Sequence, residues 1–215
     1  MISILDYGMG NLASIRNMFK KIGASSTIIK TPEEISHAAA LVIPGVGKFD
    51  NALKNIDEMG VRDSLEEAAN VRQIPILGIC LGMQLMTRAS EEGVLPGLGW
   101  IQADCRLIDG QKYDVRVPHM GWNVVKIEKK SPYFEETDTK QRFYFVHSYA
   151  VHCDNKDHIL TTTPYAGGVV SSFSVRNFLG VQFHPEKSHK FGAGLLHKFV
   201  TTHKLNNIGN NHFEE

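Results

Sequence analysis

The sequence has few cysteines, no excess of charge of either sign and no long apolar run. Its 215 residues include only three cysteines, Cys80, Cys105 and Cys153, which show neither paired spacing nor a metal-site pattern. Such an odd, sparse set is typical of a reducing cytosol and argues against a disulfide scaffold. The 23 basic and 23 acidic residues give a formal net charge of zero. Bulk charge would therefore attract neither nucleic acid nor an anionic membrane.

The apolar segments are too short for a membrane span, which needs about 18 residues or more. The N-terminus lacks a basic leader, and the apolar segment at residues 2–5 is too short for the core of a signal peptide. We therefore expect a cytoplasmic protein with no membrane partner. The length fits one domain. We predict a single domain over residues 1–205, followed by a frayed, Asn-rich polar tail at residues 206–215.

In the first half of the chain, short apolar runs that read as strands alternate with helical patterns. The predicted strands are residues 2–7, 26–30, 39–43 and 74–79. The predicted helices are residues 11–21, 49–59 and 61–69, and a further helix begins at the capped start 31–34. This alternation predicts an α/β fold built on a doubly wound, mostly parallel sheet.

The second half, from Trp100 onward, is rich in β-forming residues separated by turn residues. The predicted strands are residues 100–108, 115–118, 124–127, 142–152, 159–163, 169–175 and 178–183. This series predicts an antiparallel β extension appended to the sheet. A final helix is predicted over residues 191–203.

Residues 78–82, Gly-Ile-Cys-Leu-Gly, follow an apolar run that reads as a buried strand, and a helical pattern begins directly after them. Glycines two positions before and after Cys80 predict a nucleophile elbow, where the chain turns so sharply that larger neighbours would clash. The turn would lift Cys80 to the N-terminus of the next helix, where unpaired amides favour a thiolate. The pattern by itself fits a buried cysteine at a glycine-rich strand end equally well. The interpretation therefore depends on finding partner residues.

A candidate base lies in His184-Pro185-Glu186, where a predicted strand ends. Because residues two apart on a strand point to one side, Glu186 would hold the imidazole by one nitrogen and leave the other for the thiol of Cys80. These are the nucleophile, base and orienting group of a catalytic triad. A single histidine at a strand end is more often a hydrogen-bonded turn residue, but the elbow cysteine favours the triad.

An acyl-enzyme mechanism also needs hydrogen-bond donors for the oxyanion. The amide of Leu81, directly after the nucleophile, would supply one donor. A second would come from Gly45-Val46-Gly47 at the end of the neighbouring strand, where glycines let a peptide rotate at little cost. Without the triad, these residues would be interpreted as an ordinary Pro-Gly turn.

Residues 78–84, taken with the distant residues 184–186, resemble the class I (triad) glutamine amidotransferases, whose fold is flavodoxin-like. Further stretches narrow the resemblance: residues 6–11, 44–47, 118–123, 145–149 and 184–188. Together they are similar to the glutaminase subunits of imidazole glycerol phosphate synthases, over roughly residues 2–200.

The resemblance implies a role for each residue that matches the family pattern. Cys80 would be the nucleophile, His184 the base and acid, and Glu186 the orienting group. Contacts with glutamine are implied for Gln84, Glu92, His147, Ser148 and Tyr149, with Glu92 on the ammonium group. A partner interface is implied for Asn11, Met120, Trp122, Asn123 and Lys187. Without the resemblance, Gln84 and Glu92 would be interpreted as a solvated helix face, and Trp122 would fit a core as well as an interface.

The implied activity is glutamine hydrolysis, with the ammonia used by a separate synthase. The sequence contains no nucleotide motif or metal cluster of its own that would use ammonia, so no cofactor or metal is expected. The resemblance names the partner as a cyclase subunit with a (β/α)8 barrel. It makes imidazole glycerol phosphate and an aminoimidazole carboxamide ribotide in histidine biosynthesis.

Three alternatives remain open from the sequence. The same chemistry would serve a related barrel partner that forms amidino groups on bacterial surface sugars. A cysteine hydrolase or peptidase acting alone would share the elbow, although Gln84, Glu92 and the Trp122 region argue against it. A silent binding subunit is disfavoured by the intact triad.

Overall fold

The structure is a computed structural model of the protein, and it describes residues 1–134 and 141–205. The tail predicted at residues 206–215 lies outside the described residues. No helix within the described residues is both long enough and apolar enough to span a bilayer.

The first half alternates strands and helices, as the sequence predicts. Its strands are β1 (Ile2–Leu5), β2 (Ser26–Ile29), β3 (Ala40–Ile43) and β4 (Ile76–Ile79). Its helices are α1 (Leu12–Lys21), α2 (Pro32–Ser36), α3 (Phe49–Glu58), α4 (Arg62–Glu66), which continues into a π-helical turn (Glu67–Val71), and α5 (Leu81–Leu85). Thr31 and Glu34 form a capping box that starts α2, as residues of this type at this spacing favour.

The second half is mainly β structure, as predicted. It contains β5 (Ala89–Ser90), β6 (Ala103–Leu107), α6 (Gly110–Tyr113), β7 (His119–Val124), β8 (Lys126–Ile127), β9 (Arg142–His147), β10 (Tyr149–Cys153), β11 (Ile159–Thr163), β12 (Val169–Val175), β13 (Phe178–Val181) and α7 (His189–Thr202). The strand predicted at residues 115–118 is wrong. Asp109 caps α6 through the amide of Lys112 at 2.9 Å, and the extended chain pairs only from His119 onward.

The main sheet has the strand order β2-β1-β3-β4-β13-β12-β11-β8. Its first five strands are parallel, and the last three continue it in antiparallel pairs. The sequence placed residues 178–183 in the antiparallel extension, but β13 lies parallel to β4 in the centre of the sheet. The ends of β4 and β13 are therefore neighbours.

Two smaller sheets lie apart from the main sheet. One has the order β10-β6-β5, and the other is the antiparallel ribbon of β7 and β9. In the ribbon, His119 lies opposite His147 and Trp122 lies opposite Tyr144. The antiparallel extension is thus confirmed, but it is divided among three sheets.

Alternate side chains of the parallel strands enter two hydrophobic clusters, one on each face of the sheet. In β3, Leu41 and Ile43 belong to the first cluster, whereas Ala40 and Val42 belong to the second. Residues of α2, α3, α4 and α5 fill the first cluster, and residues of α1 and α7 fill the second. Burial on both faces requires helical cover on both, so the doubly wound α/β prediction is confirmed.

Candidate active site

Cys80 lies in the turn between β4 and α5, at φ 52° and ψ −108°. A non-glycine residue with positive φ is strained and persists only where its surroundings fix it. Here the Cys80 amide donates to the carbonyl of Val181 on β13 at 2.8 Å. The Cys80 side chain is buried. The predicted nucleophile elbow is therefore present in the fold.

The elbow depends on a close approach between α5 and β3. A Cβ atom added to Gly82 would lie 1.8 Å from the carbonyl oxygen of Ile43. Real Cβ atoms do not approach a backbone oxygen so closely, so any side chain at this position would force the helix away from the sheet.

Gly82→Ala is accordingly expected to destabilise the protein by about 3 kcal/mol, or to prevent folding, because the clash is with the backbone of a central strand. The matched control is Gly194→Ala within α7, where an added Cβ meets no atom of the described residues within 4 Å. That change should stabilise the helix by about 0.5–1 kcal/mol. Urea unfolding measures both variants, and a Gly82→Ala protein as stable as the wild type would contradict the close approach.

His184 and Glu186 form a buried pair beside the elbow. His184 Nδ1 lies 2.7 Å from Glu186 Oε1, and the two side chains are 1% and 2% exposed. The pairing was predicted because residues two apart on a strand point to one side, and that reason is wrong. β13 ends at Val181, and Glu186 lies in a short 3₁₀ turn (Pro185–Lys187) that folds back toward the imidazole. Ser188 holds the turn by donating to the carbonyl of His184 at 2.6 Å.

The second ring nitrogen of His184 is not used by Glu186, and the imidazole also interacts with Cys80. Nε2 is buried and makes no conventional hydrogen bond within the described part of the chain. Burial by itself lowers the pKa of His184, but its interactions with Cys80 and then Glu186 raise the pKa to about 10. A protonated imidazole beside a cysteine is the arrangement that favours a thiolate nucleophile.

The predicted oxyanion residues lie at the ends of two neighbouring strands. Leu81 begins α5 directly after Cys80, and Gly45 to Gly47 follow the end of β3. Gly47 has a φ of 118°, and Val46 is exposed. The donor role of these residues stays a prediction.

A cleft of about 300 Å³ opens beside Cys80. Its volume is at the lower end of the range for small-molecule sites and suits a substrate as small as an amino acid. It is lined by Val46, Gly47, Cys80, Leu81, Gln84, Glu92, Pro118, Val146, His147, Ser148 and Tyr149. The cleft thus brings together every residue for which a glutamine contact was implied. A larger groove of about 920 Å³ follows β8 and β11, and no triad residue lines it.

Gln84 lines the cleft and also donates hydrogen bonds to other groups of the protein. Its Nε2 donates to the carbonyl of Tyr149 and to Oε1 of Gln182, both at 3.1 Å. Nε2 of Gln182 in turn lies 3.7 Å from the sulfur of Cys80. Sequence analysis missed Gln182. A polar residue within the apolar run around Val181 was the available signal, because buried glutamine is rare without a specific partner.

Glu92 lines the cleft, and one of its carboxylate oxygens accepts a hydrogen bond from the protein backbone. Its Oε2 accepts from the amide of Phe49 at 3.0 Å, at the start of α3. This contact fixes the position of the carboxylate at the rim of the cleft. Contact of Glu92 with an ammonium group stays a prediction.

The predicted partner residues lie in three places. On β7, Met120, Trp122 and Val124 are exposed on one side, and we call these three side chains the β7 outer face. Lys187 lies nearby, with its amine 5.6 Å from the centre of the Tyr144 ring. The side chain of Asn123 instead contacts His119 on the inner side at 3.2 Å. Asn11 caps α1 by accepting from the amide of Ser14 at 3.2 Å.

Comparison with known proteins places this chain in a family. The family model for glutamine amidotransferase class-I matches residues 3–202. The chain is 49% identical over 201 residues to the imidazole glycerol phosphate synthase subunit HisH 2 of Methanococcus maripaludis, covering 93% of this chain and 98% of the relative. It is 42% identical over 202 residues to the HisH subunit of Bdellovibrio bacteriovorus, with coverage of 93% and 98%.

Solved structures agree on the fold. The crystal structure of a glutamine amidotransferase superposes with a TM-score of 0.73 at 16% identity, covering 94% of this chain and 98% of that chain. PurLQS from Thermotoga maritima contains a chain that matches with a TM-score of 0.73 at 14% identity, with coverage of 94% and 97%. From the sequence matches and this fold, the chain belongs to the class-I glutamine amidotransferase family, among the HisH subunits of imidazole glycerol phosphate synthase.

Proposed function

We propose that this protein is the glutaminase subunit of an imidazole glycerol phosphate synthase in histidine biosynthesis. Glutamine and water give glutamate and ammonia, and the ammonia passes to a (β/α)8-barrel cyclase subunit that is bound as a heterodimer partner. The observation that carries this proposal is the buried arrangement of Cys80, His184 and Glu186 beside a small cleft. The names of the relatives favour this acceptor pathway over amidination of surface sugars.

The reaction follows from the positions of these groups. The Cys80 thiolate attacks the side-chain amide carbon of glutamine, and backbone amides, including that of Leu81, stabilise the resulting oxyanion. The protonated His184 gives its proton to the leaving nitrogen, so that the C–N bond breaks, ammonia leaves and a thioester remains. His184 then takes a proton from water, which attacks the thioester and releases glutamate and the Cys80 thiolate. Glu186 keeps the imidazole in one orientation throughout.

Substrate binding is assigned to the rest of the cleft. The carboxylate of Glu92, fixed by the Phe49 amide, would pair with the α-ammonium group of glutamine. Main-chain groups of His147, Ser148 and Tyr149 would hold its carboxylate. Gln84 would act mainly by holding the carbonyl of Tyr149. A zwitterion suits such a site because it needs one anion and several neutral donors.

The partner would bind across the β7 outer face. Met120 and Trp122 are 62% and 43% exposed, and large apolar side chains of this kind are typical of an interface core. Trp122 stacks on His189 with ring centres 5.5 Å apart, which fixes the indole before the partner arrives. We further propose that residues 1–205 form one domain and that the enzyme is cytoplasmic, which fits its three unpaired cysteines.

The base is expected to matter more than the group that orients it. His184→Ala should lower partner-stimulated glutamine hydrolysis by at least about 10³-fold, because it removes the group proposed to move the proton. Glu186→Ala should keep measurable activity, since the imidazole remains but loses its fixed orientation. Steady-state glutamate release measures both. Wild-type rates in His184→Ala would show that another residue takes the proton.

The test of the proposal is glutamate release by the chain alone, with a histidine-pathway barrel subunit, and with a barrel subunit for sugar amidination. We expect strong stimulation only by the first. Stimulation only by the second would assign the chain to the alternative pathway. Full activity on esters or peptides without glutamine turnover would indicate a stand-alone cysteine hydrolase.

A further inference from the structure

Two buried histidines outside the triad contact each other across the β7–β9 ribbon. Nδ1 of His119 lies 3.0 Å from Nε2 of His147, and the two residues are 3% and 6% exposed. The His119 ring also stacks on Tyr165 and Phe145, with ring centres 3.9 and 4.6 Å apart. None of the reaction steps above uses either imidazole.

The partners of these rings fix where every proton lies. Nδ1 of His147 is 2.8 Å from the carbonyl of Tyr149, which only accepts, so Nδ1 carries the proton. Nε2 of His147 must then accept from Nδ1–H of His119. Nε2 of His119 in turn accepts from the Asn123 amide nitrogen at 3.2 Å. The Asn123 oxygen accepts from the amide of Val124 at 2.9 Å, which fixes the orientation of this side-chain amide.

This chain of hydrogen bonds requires both histidines to be neutral. Burial lowers the pKa of His119 to about 4. For His147, burial first, and then His119 and His184, lower the pKa to about 3 against the raising effect of the Tyr149 carbonyl. At neutral pH both rings are therefore uncharged, and one donor direction is possible.

The chain ends on the turn that lines the cleft. β9 ends at His147 and β10 begins at Tyr149, so Ser148 is the turn residue between them. The carbonyl of Tyr149 accepts from His147 and also from Gln84 at 3.1 Å, while the carbonyl of Ser148 accepts from the amide of Ile108 at 2.9 Å. Several hydrogen bonds thus fix the turn, and His119 on β7 is connected to it through His147.

We propose that His119 is a positioning residue for glutamine: through the neutral His119–His147 pair, it sets the location of the turn at Ser148 from strand β7. The opposite side of the same strand carries the β7 outer face, so the glutamine-binding turn and the partner surface share one strand. The inference rests on the proposed function because its readout is glutamine affinity.

Three substitutions at His119 separate its hydrogen bond to His147 from its ring packing on Tyr165 and Phe145. His119→Phe keeps a flat ring for Tyr165 and Phe145 but removes both hydrogen bonds. His119→Asn places an amide nitrogen near the position of Nδ1 and keeps a donor for His147. His119→Gln places its amide near Nε2 and keeps only the contact with Asn123.

In the complex with the barrel subunit, we expect the KM for glutamine to rise about tenfold in His119→Phe and His119→Gln, because a buried hydrogen bond is lost. We expect less than a threefold rise in His119→Asn and little change in kcat for all three. The control is His203→Phe, which loses a 2.9 Å contact with Tyr133 away from the cleft. It should lower the unfolding midpoint without changing the KM. Equal KM values in all variants would overturn the positioning role.

A second measurement does not depend on activity. Nitrogen NMR of the histidine-labelled wild type at pH 7 should show His119 and His147 neutral with the proton on Nδ1. A proton on Nε2, or a charged ring, at either residue overturns the proposal. A wild type that releases no glutamate overturns the proposed function, and the NMR result then still decides on the histidine pair.

Discussion

Cys80→Ser is expected to abolish glutamine hydrolysis, with a loss of at least about 10³-fold and turnover at or near background. A serine hydroxyl keeps the shape of the side chain, but it is a far weaker acid and nucleophile than a thiol. Removal of a triad nucleophile leaves only the oxyanion donors and substrate binding to accelerate the reaction. Partner binding should be unchanged, because Cys80 is only 6% exposed and the β7 outer face is untouched. Steady-state glutamate release and titration with the barrel subunit measure the two properties.

The other two cysteines provide matched controls. Burial raises the pKa of Cys105 to about 12 and that of Cys153 to about 11. Both thiols therefore stay protonated at neutral pH and are poor nucleophiles. Cys105→Ser and Cys153→Ser should keep wild-type turnover. Substantial activity in Cys80→Ser, or its loss in either control, would remove the assignment of the nucleophile.

The second large effect is expected at the oxyanion loop. If a peptide within residues 45–47 must rotate to complete the oxyanion hole, the chain alone should be a poor glutaminase. Loss of one oxyanion donor costs about 10²- to 10³-fold in rate. Addition of the barrel partner and its acceptor ligand should therefore activate hydrolysis by at least about that factor. Such control would spare glutamine when no acceptor is bound.

Gly47→Val should blunt this activation without preventing association. Gly47 has a φ of 118°, a conformation that a β-branched residue strongly disfavours, so valine restricts the rotation of the loop. Its Cβ would also contact the Met9 sulfur at 3.3 Å. The control is Gly23→Val, at a φ of 77° with no atom within 4 Å of an added Cβ. It carries similar backbone strain far from the cleft and should activate normally.

The measurement is the steady-state rate of the chain alone, with partner, and with partner plus acceptor ligand. A chain that runs at full rate alone would rule out the switch and leave residues 44–47 as a fixed turn. Equal activation of Gly47→Val and Gly23→Val would show that the loop does not need to rotate.

Much of the fold and site follows from local patterns. Short apolar runs predicted β1, β3 and β4, because strands buried on both faces read as continuous apolar segments. Glycines around Cys80 predicted the elbow because only small residues fit there. The predictions that failed concerned strand pairing and local turns: β13 pairs in parallel with β4, and Glu186 reaches His184 through a 3₁₀ turn. Residues 115–118, predicted as a strand, only lead into β7. Gln182 was not among the predicted site residues, although it contacts Gln84.

The sequence by itself determined the chemical groups of this protein: a cysteine on an elbow, a His-Pro-Glu segment and a Pro-Gly-Val-Gly loop. Each of these signals lies within a few consecutive residues, and local steric rules are enough to interpret it. Only the tertiary structure decided which groups meet. Parallel pairing of β13 with β4 brings His184 to Cys80 across about a hundred residues of chain. A 3₁₀ turn, rather than strand alternation, brings Glu186 to His184. The pairing of β7 with β9 buries His119 against His147. Such contacts depend on strand order and register, which are set by the packing of the whole sheet and not by any one segment.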